Sequence, residues 1–211
     1  MLAEKAKEIL GTDFIGVDEL DAIAININIL SPNKHNKEVP AIPYTEQQLQ
    51  QVSGSHILLL GMPFTTNGNA LTLMEMRNFF GMDPAIQEPC FYNQDWYVKE
   101  EFVHAPLLKY KWYLLRKKLI DNTRAKTVEE SSINDQQLPS ALVCTYAFFV
   151  YYYHANHYLW ENDFVWCCDS DANNDRIYIG RYFDPKGIAK NGFSIHRHLK
   201  LSNMYGSIDM L

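Results

Sequence analysis

Asp169, Asp171, Asn173 and Asp175 fall within one short run, D-S-D-A-N-N-D, and offer the carboxylate and amide oxygens that hard cations bind. Their spacing resembles the first half of a calcium loop, which makes Asp169, Asp171 and Asn173 the candidate calcium ligands. An EF-hand would need a bidentate Glu at the twelfth position. Here Gly180 stands there, and both flanks alternate like strands rather than helices. A polar hairpin tip whose Asp and Asn side chains bond their own backbone accounts for the run equally well.

Histidines and thiols offer a second chemistry. His196 and His198 are two apart and share a face of a strand, while His154 and His157 are three apart on a helical stretch. The two pairs would suit zinc only if the fold brought them together, and no Cys-x-x-Cys or His-Glu-x-x-His signature is present. Cys167 or Cys168 with His196 and Asp169 can be drawn as nucleophile, base and orienter. The plain alternative is that strand cysteines are small inert hydrophobes. Lys186-Gly187 and Lys190-Asn191-Gly192 lack phosphate-loop spacing and read as turn glycines.

The elements that must position these groups follow from periodicity. Residues 160–198 alternate apolar and polar on both sides of the Asp/Asn turn, which predicts a β-hairpin continued by a third strand. Ahead of it, Pro139 opens a long helix to about residue 158, apolar nearly all round and therefore covered on most sides. Thr72 and Glu75 have capping-box spacing before a Leu73, Met76, Phe79, Phe80 stripe closed at Gly81. The run H-I-L-L-L-G-M from His56 predicts a buried strand, residues 111–120 a further strand, and Thr127 with Glu130 a polar helix to about residue 138. Asp95 is placed to cap a short helix. Residues 2–10 read as a short helix stopped by Gly11, residues 17–29 as helix or helix into strand, and the Pro/Asn/Lys-rich stretch 31–43 as a linker. The expected organisation is a helical N-terminal extension with a flexible connector over 1–52, then a compact α+β domain over 53–211.

With 211 residues, 47% hydrophobic and 13% aromatic, the chain can bury a full core. Its net charge of −6 argues against nucleic-acid or anionic-membrane partners. The cluster Lys109, Lys111, Arg116, Lys117 and Lys118 alternates with apolar residues like the solvent side of a strand. The charged opening M-L-A-E-K-A-K-E-I-L is no secretory signal, and no apolar run reaches membrane-spanning length. Four irregularly spaced cysteines, Cys90, Cys144, Cys167 and Cys168, fit reduced thiols and a cytoplasmic location.

Four blocks carry a wider resemblance: HILLLGMPFTTNGNALTLMEMRNFFG, WYLLRKKLIDNTRAKTVEE, LPSALVCTYAFF and LWENDFVWCCDSDANNDRIYIGRYFDPKGI. In this order they resemble an uncharacterised family of bacterial and chlamydia-like proteins of about this size. The C-terminal region of that family is similar to the targets of diversity-generating retroelements, which display variable side chains on a C-type-lectin-like scaffold. The resemblance implies an α+β fold with a C-terminal antiparallel, C-type-lectin-like sheet and non-catalytic binding.

The expected function is therefore recognition of a protein or glycan on the outward face of the C-terminal strands. The resemblance implies ligand contact at Tyr178, Arg181, Tyr182 and the strip of Lys190, Asn191, Phe193, His196, Arg197 and His198, and Tyr gives large contact area at low entropy cost. No cofactor beyond the calcium alternative is expected. A metal- or thiol-dependent hydrolase using the His/Cys cluster, and a structural or assembly subunit of mobile-element origin, are the other readings.

Overall fold

The computed structural model describes residues 1–24, 26–30, 38–131, 133–182, 192–198 and 200–211. It is an α+β fold in which two sheets pack around one central helix. In chain order the N-terminal part contains α1 (Ala3–Leu10), β1 (Phe14–Ile15), α2 (Val17–Ile23), α3 (Glu46–Val52) and β2 (His56–Leu60). The middle adds α4 (Leu73–Phe80), α5 (Glu101–His104), β3 (Trp112–Arg116) and α6 (Val128–Ser131). The C-terminal part holds α7 (Ala141–Ala155), β4 (Phe164–Ser170), β5 (Arg176–Tyr182), β6 (Gly192–His196) and β7 (Tyr205–Gly206).

The first sheet has the order β1-β2-β3, with β1 parallel and β3 antiparallel to β2. Because β2 is flanked on both edges and covered on both faces, all five of its residues are buried, as a continuous apolar run predicts. The second sheet has the order β6-β5-β4-β7; its first three strands form the antiparallel meander read from the alternation, and β7 adds a parallel edge.

Between the sheets runs α7. Ser140 caps it by accepting from the Val143 N–H at 3.2 Å, and Asn156 ends it in the left-handed region at φ 54°. Every residue from 141 to 151 is buried, so this helix is a pillar with no solvent face along most of its length. Tyr146 donates to the Leu60 carbonyl at 2.9 Å, a bond that ties the pillar to β2. Phe80 and Phe91 stack on Phe149, at centroid distances of 3.9 and 5.1 Å.

The helix before Gly11, the capped stripe of α4 and the buried β2 run all appear where the sequence puts them. The expected N-terminal extension does not. Ala6, Leu10, Phe14, Ile15, Leu20, Ile23 and Leu49 lie in the same core cluster as β2 and α7. The reason is twofold: an eight-residue helix has little stability of its own, and β2 needs a partner on its open edge, which β1 supplies. Asp13 adds a polar anchor, with Lys117 Nζ at 2.6 Å and the Tyr151 hydroxyl at 3.0 Å. Of the expected linker, residues 31–37 lie outside the described residues, but the Pro40 carbonyl accepts from Trp112 Nε1 at 2.7 Å and Ile42 is buried.

Other boundaries shift. The Thr127–Glu130 capping box forms, but the helix described is Val128–Ser131, and Asp135–Gln137 is a 3₁₀ turn rather than its continuation. Asp95 caps nothing; it pairs with Arg77 at 2.5 Å. Of the basic cluster, Arg116 binds Asp209 at 2.5 Å and Lys117 binds Asp13, so two of its charges are neutralised within the fold.

Candidate functional site

The C-terminal sheet has two faces, and both are covered. Val165, Cys167, Ile177, Ile179, Phe193 and Ile195 belong to the main core together with α7. Phe164, Trp166, Tyr178 and Tyr205 form a second cluster, closed by Val128 and Leu138 with Ile133, Leu201 and Met204 against them. Trp166 Nε1 donates to the Lys126 carbonyl at 3.0 Å, which fastens this cover to the sheet. The outer edge of β6 is occupied too: Tyr92 N–H donates to the Phe193 carbonyl at 2.8 Å and Phe193 N–H to the Cys90 carbonyl at 2.9 Å.

The residues expected to face a ligand therefore divide. Tyr178 and Phe193 are each only 1% exposed and are core side chains, a correction to their expected role as contacts. Arg181 is also buried, at 4% exposure; its guanidinium meets Glu88 at 2.9 Å and Glu161 at 3.2 Å and lies 4.0 Å from the centre of the Tyr158 ring. Alternation tells which residues share a face but not whether another segment covers it. The Tyr182 side chain, Lys190 and Asn191 lie outside the described residues.

His196 is partly buried, with its ring 5.1 Å from Phe164 and 5.7 Å from Tyr178. Burial pulls its imidazole down to about 4. In the fold it stays neutral where the unfolded chain, with an ordinary value of about 6.5, takes up a proton. Stability is therefore expected to fall by up to about 3 kcal/mol as pH drops from about 6.5 to about 4, and to level off below that. Urea unfolding across this range checks it. The His196→Asn variant should lose that part of the slope, and an unchanged slope would remove His196 as its cause.

Arg197 and His198 remain at the surface, and around them the structure assembles a rim. The Arg197 guanidinium lies 4.4 Å from the centre of the Trp96 ring, bonds the Asp171 carboxylate and stands 3.7 Å from Glu100. Trp96 is oriented by its Nε1, which donates to the Ile195 carbonyl at 3.1 Å. Glu100 accepts from the Ala172 N–H at 2.9 Å. His198 Nε2 is 2.8 Å from Asp175, and its side chain is 56% exposed. Trp96 and Glu100 were not singled out in the sequence. Their segment, E-P-C-F-Y-N-Q-D-W-Y-V-K-E, is irregular, and nothing in its spacing ties it to a strand a hundred residues later.

Within the D-S-D-A-N-N-D turn the carboxylates are engaged. Asp171 Oδ1 accepts from the N–H groups of Asn173 and Asp175 at 2.8 and 2.9 Å, which is the side-chain-to-backbone turn expected of such a run. Burial raises the Asp171 carboxyl, but these N–H groups and Arg197 outweigh it and hold it below its ordinary value. Asp169 faces elsewhere: its Oδ2 accepts from the Ala141 N–H at 2.6 Å at the start of α7. Asp169 is thus engaged at α7 while Asp171 bonds the turn. Asp171, Asp175 and His198 do place ligand atoms within 4.8 Å of one another, and Arg197 already supplies a positive charge to Asp171 there.

Of the two thiols, Cys167 is parted from His196. Cys167 is on the α7 face of the sheet and His196 packs with the aromatic cluster on the other. Burial pushes Cys168 up to about 11 and raises Cys167 well above its ordinary value, so both are protonated thiols rather than thiolates near neutral pH. No helix among the described residues is long and apolar enough to cross a membrane. No family model, curated protein or solved structure matches the chain.

Proposed function

We propose that this chain is a non-catalytic recognition protein whose contact surface for a protein ligand is the rim at the open end of the C-terminal sheet. The observation that carries this reading is the Trp96–Arg197 stack, held by Ile195, Asp171 and Glu100 with part of both side chains open to solvent. Trp and Arg are the residue types that dominate binding energy at protein interfaces. Here their side chains are already ordered, so less rotamer entropy is lost on contact. The neighbouring carboxylates and His198 supply a polar border. A hydrolase reading draws no comparable support: Cys167 lies on the sheet face opposite His196, and burial holds both Cys167 and Cys168 as protonated thiols.

Affinity capture from an extract of the source cells tests the reading, with the wild-type chain beside Trp96→Ala and Arg197→Glu. A bound protein retained by the wild type and weakened at least about tenfold by each variant is expected for a central contact pair. Equal capture by all three chains, or capture by none, counts against it, provided circular dichroism shows the variants folded.

A further inference from the structure

A cavity far from the rim in sequence has no role in that proposal. Its volume is about 470 Å³, within the range of small-ligand pockets. It lies between the 28–29 segment, the turn at Asn67-Gly68 and the outer side of α4. The turn is built to hold shape. Gly68 takes φ 86° and donates to the Thr65 carbonyl at 2.9 Å, Thr65 N–H donates to the Asn69 carbonyl at 2.8 Å, and Thr66 N–H donates to the Ile29 carbonyl at 2.8 Å. The Thr66 hydroxyl bonds the Asn28 carbonyl, which ties the two walls together a second time.

Three exposed asparagines face the cavity. Asn28, Asn67 and Asn78 present carboxamides, and no hydrogen bond among the described residues engages any of them. Glu75 adds a carboxylate with no cation paired to it among the described residues. Thr65, also in the lining, has a buried hydroxyl oxygen without a hydrogen-bond partner. Such a group costs stability unless something satisfies it. Phe79 supplies a half-buried aromatic ring beside them.

Charge and polarity narrow the ligand. Among the described residues the lining holds no Lys, Arg or His, and Glu75 would repel an anion, so this lining does not favour phosphates or carboxylates. An apolar molecule would strip water from three amides and leave them unpaired. Among the described residues a cation would find one carboxylate and no second charge. A neutral polyol matches every group, because a carboxamide offers donor and acceptor side by side, as vicinal hydroxyls require. The C–H face of a pyranose also suits an aromatic ring. We infer that this cavity, framed by Asn28, Asn67, Glu75, Asn78 and Phe79, is a saccharide-binding site.

Calorimetry and ligand-observed NMR with the full chain test it, using D-glucose, D-galactose, D-mannose and N-acetyl-D-glucosamine as probes. At least one probe is expected to bind with a Kd on the order of millimolar or tighter. Asn67→Ala or Asn78→Ala, both at exposed positions, should weaken that binding about fivefold or more, whereas Trp96→Ala should leave it unchanged. Absence of binding by all four probes, or binding indifferent to both asparagine variants, would overturn the assignment. Because the rim variants and the asparagine variants are separate, either proposal can fail without the other.

Discussion

Phe193→Ala is expected to cost about 3–5 kcal/mol of folding stability, the usual toll for truncating a buried aromatic. The Phe193 ring lies within 5.6 Å of Phe91, 4.7 Å of Phe148 and 5.6 Å of Phe149, centroid to centroid. Losing it opens a hole where β6 meets the central helix, and the backbone of the same residue carries both bonds to the 90–92 segment. For a chain of this size the loss corresponds to a fall in Tm of roughly 10 °C. Differential scanning calorimetry measures it, and Phe193→Leu, which keeps most of the apolar volume, should lose much less. A surface contact residue would behave otherwise, since truncating it would change binding and leave Tm within a degree or so. An unshifted Tm for Phe193→Ala would therefore contradict the core placement.

Gly180→Ala should be comparably damaging for a different reason. A methyl group at this position would sit 2.0 Å from the Asp163 carbonyl oxygen and 3.0 Å from the Asp163 carbonyl carbon and the Phe164 Cα. All three are backbone atoms, so no side chain can swing aside to relieve the clash. Gly180 pairs directly with Phe164 across β4 and β5, and the Asn162 N–H donates to the adjacent Arg181 carbonyl at 2.9 Å. Admitting the methyl group would push these strands apart and loosen the ladder that holds the second sheet together. A loss of about 3 kcal/mol or more is expected, at the upper end of overpacking costs. Urea denaturation gives the total. Hydrogen exchange localises it: amides of β4 and β5 should lose protection before those of β2, and uniform loss across both sheets would argue against a local cause.

The C-terminal meander was legible because alternation on either side of an Asp/Asn turn has one simple solution, and the central helix because its apolar residues leave no polar stripe. The capped helix over Leu73–Phe80 was legible from Thr72 and Glu75 at one end and Gly81 at the other, all of them local signals. The candidate site was legible only in part. Arg197 and His198 were named from their strand, whereas Trp96 and Glu100 reach them through a loop whose sequence carries no period.

The physical divide is between local and long-range terms. Periodicity, caps and turn chemistry act over a few residues, so by itself the sequence determined the α+β class, the antiparallel pairing and the buried central helix. Which face of a sheet meets solvent depends on segments that arrive from elsewhere in the chain, and only the tertiary structure decided that. It laid Val128, Ile133 and Leu138, with Leu201 and Met204, over Tyr178 and Trp166, drew the N-terminal helix and strand into the main core, and set Trp96 beneath Arg197. Burial of apolar surface is non-directional, so an aromatic face signals only that it will be covered. The covering segment is chosen by the whole chain at once.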